Sequence, residues 1–95
     1  MLRYVFSTDA VADLEAISDY LKARDPDSAR RVVSAIVAVV ERACIFPEAA
    51  PAFDEPGAVL GVRKLIEVTY RYVVYYRVVG QTLLVVRIFH GSQRR

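Results

Sequence analysis

The side chains of this chain best suited to chemistry on a phosphate, or to gripping an acidic partner, gather in its last third. Arg63, Lys64, Arg71, Arg77, Arg87, Arg94 and Arg95 follow residue 61 against one acid, Glu67, a local charge of +6; residues 1–61 hold six basic and ten acidic side chains, −4, and the halves sum to +2. His90, the sole histidine, lies in the same stretch. Metal-free cleavage of RNA needs a base to activate the ribose 2′-hydroxyl, an acid for the leaving oxygen, and cations for the charge that builds around phosphorus. Arg63, Lys64, Arg71, Arg77 and Arg87 can supply the cations, Glu67 a base, and His90 a proton carrier near neutral pH. The same basic set, taken as Arg63, Arg71, Arg77, Arg87, His90 and Arg94, can instead dock an anionic macromolecule without any reaction. A third use is plainer: arginines decorating the solvent face of a half-buried sheet.

Three runs carry these residues. VRKLIEV, YVVYYRVV and TLLVVRIFH are rich in β-branched and aromatic residues and are cut by Thr69 to Arg71 and by Gly80-Gln81, so they read as three successive antiparallel strands. Alternation sets Arg63, Leu65 and Glu67 against Val62, Lys64, Ile66 and Val68, and Tyr72, Val74, Tyr76 and Val78 against Val73, Tyr75, Arg77 and Val79. In the last run it sets Leu83, Val85, Arg87 and Phe89 against Thr82, Leu84, Val86, Ile88 and His90. The faces that hold Arg77 and Arg87 are expected outside and the others in the core. Arg87 and His90 then point to opposite faces unless the strand ends or bulges before His90. Each candidate also has a structural use: His90 as a hydrogen-bonded strand end, Tyr72, Tyr75 and Tyr76 as core rings rather than base-stacking platforms, and Arg87 as a cross-sheet partner of Glu67.

The remaining elements must support that sheet. LRYVF alternates, with Leu2, Tyr4 and Phe6 on one side and Arg3 and Val5 on the other, and reads as an extra strand. Ser7-Thr8-Asp9 supplies a cap and a first-turn acid, and Val11, Leu14, Ile17 and Leu21 recur at helical spacing, giving a helix over 8–22. Asp25 caps and Pro26 opens a second helix over 26–44, with Ala29, Val32, Val33, Ile36, Val37, Val40 and Cys44 as a wide apolar stripe. The short link makes the pair an antiparallel hairpin. Phe46 to Gly61, with Pro47, Pro51, Pro56, Gly57 and Gly61, reads as a surface loop.

Composition narrows the class. At 95 residues and 55% hydrophobic, the chain is expected to be one folded domain over 1–95. Cys44 is the single cysteine, which rules out an internal disulfide, and with one distant histidine it makes no metal cluster; no cofactor is expected. The longest apolar run is broken by charges, so no membrane partner is expected. MLRYVFSTDA lacks the apolar core of a secretion signal, and a cytoplasmic location follows as the expectation.

Several pieces, in order, carry a family likeness. Ala12-Asp13-Leu14 is followed by Ile17-Ser18-Asp19-Tyr20-Leu21; Asp25-Pro26 and Ala29 open the second helix and Phe46-Pro47 closes it; Gly61, Arg63 and Leu65 enter the sheet. The ending YRYVVYYRVVGQTLLVVRIFHGSQRR contributes Tyr72, Tyr75-Tyr76-Arg77-Val78, Arg87 and His90-Gly91. Over nearly its whole length the chain resembles the RelE/ParE superfamily of bacterial type II toxin–antitoxin toxins, and its short form is closer to the ParE side. The resemblance implies an α+β fold, strand–helix–helix–three strands (β-α-α-β-β-β), with the helical hairpin packed on a twisted antiparallel sheet. It also implies a growth-arresting toxin neutralised by a cognate antitoxin whose C-terminal segment wraps it. ParE-like members are associated with poisoning DNA gyrase; RelE-like members cleave mRNA on the ribosome. RelE-like nucleases often carry an arginine where Val73 stands here and a lysine cluster before the sheet, which this chain lacks. A ParE-like toxin that binds gyrase is therefore the expectation, with a ribosome-dependent endoribonuclease using Arg63, Arg71, Arg87 and His90, or a degenerate toxin retaining only antitoxin binding, as alternatives.

Overall fold

A computed structural model of the chain describes residues 1–53, 56 and 61–92. Its order is β1 (Arg3–Phe6), α1 (Thr8–Lys22), α2 (Pro26–Ile45), β2 (Arg63–Glu67), β3 (Tyr72–Val79) and β4 (Thr82–His90). The hairpin of helices packs on one face of a four-stranded sheet ordered β1-β4-β3-β2.

Local chemistry sets the helix ends. The Ser7 hydroxyl accepts the Ala10 N–H at 3.0 Å and donates to Val86 O at 3.0 Å, while the Ser7 N–H donates to Val85 O at 2.9 Å. One residue thus caps α1 and rivets it to β4. Ser7→Ala should lower stability by about 1–2 kcal/mol in urea unfolding, and Ser7→Thr should recover most of it. At the other helix, the Asp25 carboxylate accepts the Asp27 N–H at 3.1 Å and the Ser28 hydroxyl at 3.0 Å, with Pro26 in the first turn where a missing donor costs nothing.

The sheet is mixed rather than wholly antiparallel: β1 runs parallel to β4, while β2–β3 and β3–β4 are antiparallel. The cause is where the helices deliver the chain. The Leu2 N–H donates to Cys44 O at 3.0 Å, so α2 ends beside the start of β1. β2 begins from that same end, and two reversals give β4 the direction of β1.

A second departure lies inside β4. Tyr76 pairs with Val85 and Tyr75 with Arg87, which leaves Val86 as an extra residue in a bulge. Leu83 and Val85 are consequently in the core with Ile88, not outside with Arg87 and Phe89 as strict alternation requires. The core joins Val32, Ile36, Val40, Ala43 and Cys44 of α2 to Val74, Tyr76, Leu83, Val85 and Ile88 of the sheet, with Leu14, Ile17 and Leu21 of α1 at its margin. Cys44 is a buried free thiol whose pKa burial pushes up.

The turns are equally specific. Gly80 has φ +61° and Gln81 does not, the signature of a type II′ hairpin whose twist matches its strands. No helix among the described residues is long and apolar enough to cross a membrane.

Candidate functional site

The basic residues singled out by sequence do not converge. Each is best located by what its side chain touches.

Arg87 meets a partner from the helical layer. Its Nε and Nη2 donate to the two Asp13 carboxylate oxygens at 2.8 and 3.0 Å, and Asp13 Oδ2 also accepts the Ile88 N–H at 2.9 Å. β1 pairs with β4 only as far as Val85, so beyond it the β4 edge lacks a neighbouring strand, and Asp13 satisfies that edge from α1. Burial pushes the Asp13 carboxyl up, but the Arg87 hydrogen bonds, the Ile88 N–H and the guanidinium charge outweigh it and hold it below the usual carboxylate range. The same hydrogen bonds raise Arg87 further. The Arg87–Glu67 pairing considered from sequence does not form. Glu67, 3% exposed, accepts the Thr69 and Tyr70 N–H groups at 3.1 and 2.8 Å and so holds the β2–β3 turn.

Arg63 is likewise engaged, donating to Ala50 O at 2.6 Å and to Glu48 O at 3.4 Å, where it ties β2 to the loop after α2. Beside it the Tyr76 hydroxyl donates to Pro47 O at 2.7 Å. Arg71 is exposed in the β2–β3 turn at φ +65°, a left-handed conformation unusual for a residue with Cβ, and its carbonyl accepts the Gly91 N–H at 2.6 Å. A Cβ at Gly91 would stand 2.9 Å from that carbonyl oxygen, so the close approach needs glycine.

His90 lies on the helical face of the sheet, opposite to Arg87. Its register partner is Tyr72, whose ring meets it edge-on at 5.1 Å, and the two share an open hollow with Ala16, Ile17, Tyr20 and Leu21 of α1. His90 Nδ1 accepts the Ser92 N–H at 3.2 Å and lies 2.7 Å from the Ser92 hydroxyl. Tyr75, packed between Phe53 and Phe89 at 4.9 and 6.1 Å, is 6% exposed and Tyr76 is fully buried, so both are core or near-core rings. Arg77 stands on the face of the sheet away from the helices. Arg94 and Arg95 lie outside the described residues. Among the described residues no group of three or more His, Cys, Asp and Glu side chains is near enough to hold a metal ion.

Sequence reasoning leaves two contributors out. Asp13 is the decisive partner of Arg87, and its signal is faint: one acid on a helix among several. Arg3 joins the basic face of the sheet, and its parity with Val5 in LRYVF is the signal that finds it.

The order of elements, the mixed four-stranded sheet and the hairpin on one side are a pattern shared with known proteins. Residues 4–95 match the family model described as ParE toxin of type II toxin-antitoxin system, parDE. This chain belongs to the ParE toxin family. The "Putative toxin Y4kP" of Sinorhizobium fredii (strain NBRC 101917 / NGR234) is 28% identical over 85 residues, covering 90% of this chain and 83% of that protein. A solved chain of the "Chromosomal ParDE TA system from P. aeruginosa" superposes with a TM-score of 0.74 at 28% identity, covering 95% of this chain and 96% of that one. As a ParE-family toxin, the chain uses its helical layer to neutralise Arg87 and its loop carbonyls to hold Arg63. Arg63, Arg71 and Arg77 have no carboxylate partner among the described residues, and of these Arg63 is held by backbone carbonyls.

Proposed function

We propose that this ParE-family toxin arrests growth by binding its target, DNA gyrase, without a catalytic centre of its own, and that a cognate antitoxin encoded with it neutralises it. The family supplies the expectation of gyrase, and a relative from a ParDE system supports an antitoxin partner. The observation that carries the non-catalytic reading is the dispersal of the acid–base set. Arg87 is held by Asp13, Arg63 by Ala50 O, and Glu67 by turn amides, while His90 faces the helical layer away from Arg87. General acid–base chemistry needs its groups within hydrogen-bond reach of one substrate. Binding asks only for accessible complementary charge, which the exposed Arg71 and the half-buried Arg77 offer and to which the basic tail with Arg94 can add.

The test is to induce the chain in a susceptible bacterium and follow DNA synthesis and translation separately through the first minutes of arrest, with supercoiling assayed on purified gyrase. Early loss of replication with inhibited supercoiling is expected; early loss of translation with cut mRNA overturns the reading in favour of the ribosome-dependent nuclease. His90→Ala sharpens it, because removing an essential proton carrier would cut a nuclease about 10²–10⁴-fold, whereas a binder, for which His90 is at most one contact among several, should keep most of its growth arrest.

A further inference from the structure

The helices cover one face of the sheet, and the register fixes what stands on the other. Reading across the strands, Lys64 pairs with Tyr75 and Tyr75 with Arg87; Arg77 pairs with Leu84 and Leu84 with Val5; Val79 pairs with Thr82 and Thr82 with Arg3. Paired residues share a face, so all of these look away from the helices. Lys64, Arg77 and Arg3 fall on a diagonal from β2 to β1 that spans about 20 Å, at about 4.8 Å between strands and about 3.3 Å per residue.

Two properties of this face point outward. Among the described residues it is one-signed: no carboxylate occupies these three rows, and none of Lys64, Arg77 and Arg3 is in an ion pair. Arg87, whose Asp13 partner reaches it from α1, is the exception that shows what a satisfied arginine looks like here. The face is also apolar among and beside its cations, with Val5 and Val79 in their rows exposed by 49% and 50% and Ile66 in the row beyond Lys64 by 48%. Aliphatic side chains half out of water on a sheet lose free energy that only a covering surface recovers.

We propose that this open sheet face is where the toxin grips its protein target, and that the target presents an acidic segment with apolar side chains between its carboxylates. The proposal rests on the target-binding reading given above and names the surface and the chemistry of the partner. A protein fits better than a nucleic acid. Base stacking needs accessible rings, whereas on this face Tyr75 is enclosed by the half-buried Phe53 and Phe89, and the exposed apolar groups of the face among the described residues are aliphatic. Carboxylates meeting Lys64, Arg77 and Arg3 would set register and speed the encounter, and the valines would supply the desolvated contact between them.

The experiment uses the full chain carrying Arg3→Glu and Arg77→Glu together, with Arg30→Glu and Arg31→Glu together on the exposed side of α2 as the charge-matched control. Purified gyrase and purified cognate antitoxin serve as probes, beside growth arrest in cells and thermal unfolding. The double variant should unfold like the parent and bind antitoxin like the parent, yet bind gyrase at least about tenfold more weakly and fail to arrest growth, while the control changes neither. Growth arrest retained by the double variant overturns the proposal whatever the target is. Antitoxin capture lost in parallel assigns the face to the antitoxin instead and also overturns it. So does tight binding of a short single-stranded RNA or DNA duplex that the double variant loses. If the parent arrests growth but neither binds nor inhibits gyrase, the gyrase reading fails alone, and loss of arrest in the double variant still upholds the face. A parent that neither arrests growth nor binds gyrase removes both.

Discussion

Asp13→Ala should destabilise the folded chain by about 2–3 kcal/mol, a larger effect than any other single change on the surface of α1. The carboxylate meets three donors at once: two from Arg87 and the Ile88 N–H. Asp13 is 15% exposed at its side chain and Arg87 43%, so the pair is partly screened, and the figure sits below that for a fully buried ion pair. What alanine leaves behind is a guanidinium without its partner and a strand-edge amide with no acceptor. For a domain of this size the loss corresponds to a Tm lower by about 10–15 °C. Asn at the same position keeps one acceptor for the amide but loses the charge and should fall between the two.

The pH dependence follows from the direction of the shift. Folding holds the Asp13 carboxyl below its ordinary value, so the pair contributes fully above the unfolded carboxylate pKa of about 3.9 and is lost as pH falls through the lower folded value. The gap between parent and Asp13→Ala in urea unfolding should therefore be constant near neutrality and close below about pH 4. A double-mutant cycle with Arg87→Ala isolates the pair and should return a coupling of about 1–2 kcal/mol. A coupling near zero, with Asp13→Ala costing under about 0.5 kcal/mol, would show that Asp13 merely rests on the sheet edge. The pair also bears on function, since an arginine already neutralised from the helical layer has little charge to offer a target.

Much of the fold was legible because local signals and long-range packing agree. Ser7 and Asp25 cap helices where capping residues should, Pro26 opens α2 in its tolerated position, and Gly80-Gln81 closes a two-residue hairpin. The Val-rich stretch of α2 is helical despite its strand propensity, because its apolar stripe has the period of a helix and meets the sheet. The direction of β1 was not legible: it depends on the end of the sheet to which a two-helix excursion returns, and no residue of LRYVF encodes that. The candidate site was legible in content and not in arrangement. Composition located the cations, but whether an arginine meets a carboxylate or solvent is decided by contacts as distant in sequence as Asp13 and Arg87.

The bulge at Val86 is the least legible feature and the most testable, because it decides which half of β4 is core. With strict alternation through the strand, the parity that puts Arg87 outside puts Leu83 outside as well. The extra residue breaks that link, and Leu83 is 0% exposed while its neighbour Leu84 shares the open face with Arg77. Leu83→Asp should therefore cost at least about 4 kcal/mol, since it removes a large core side chain and buries a carboxylate with no donor in place. That approaches the whole stability of an ordinary small domain, and the variant should be recovered mainly unfolded. Leu84→Asp should cost about 1 kcal/mol or less, because its new carboxylate remains partly in water beside Arg77. Far-UV circular dichroism and urea titration of the two variants give the answer directly. Equal tolerance, or the reverse order, would mean that the register of β4 against β3 is wrong. Leu84→Asp also places an acid in the middle row of the proposed docking face while leaving the core alone. If that face grips an acidic segment, the variant should fold, bind antitoxin and lose growth arrest, whereas Leu83→Asp should lose all three together.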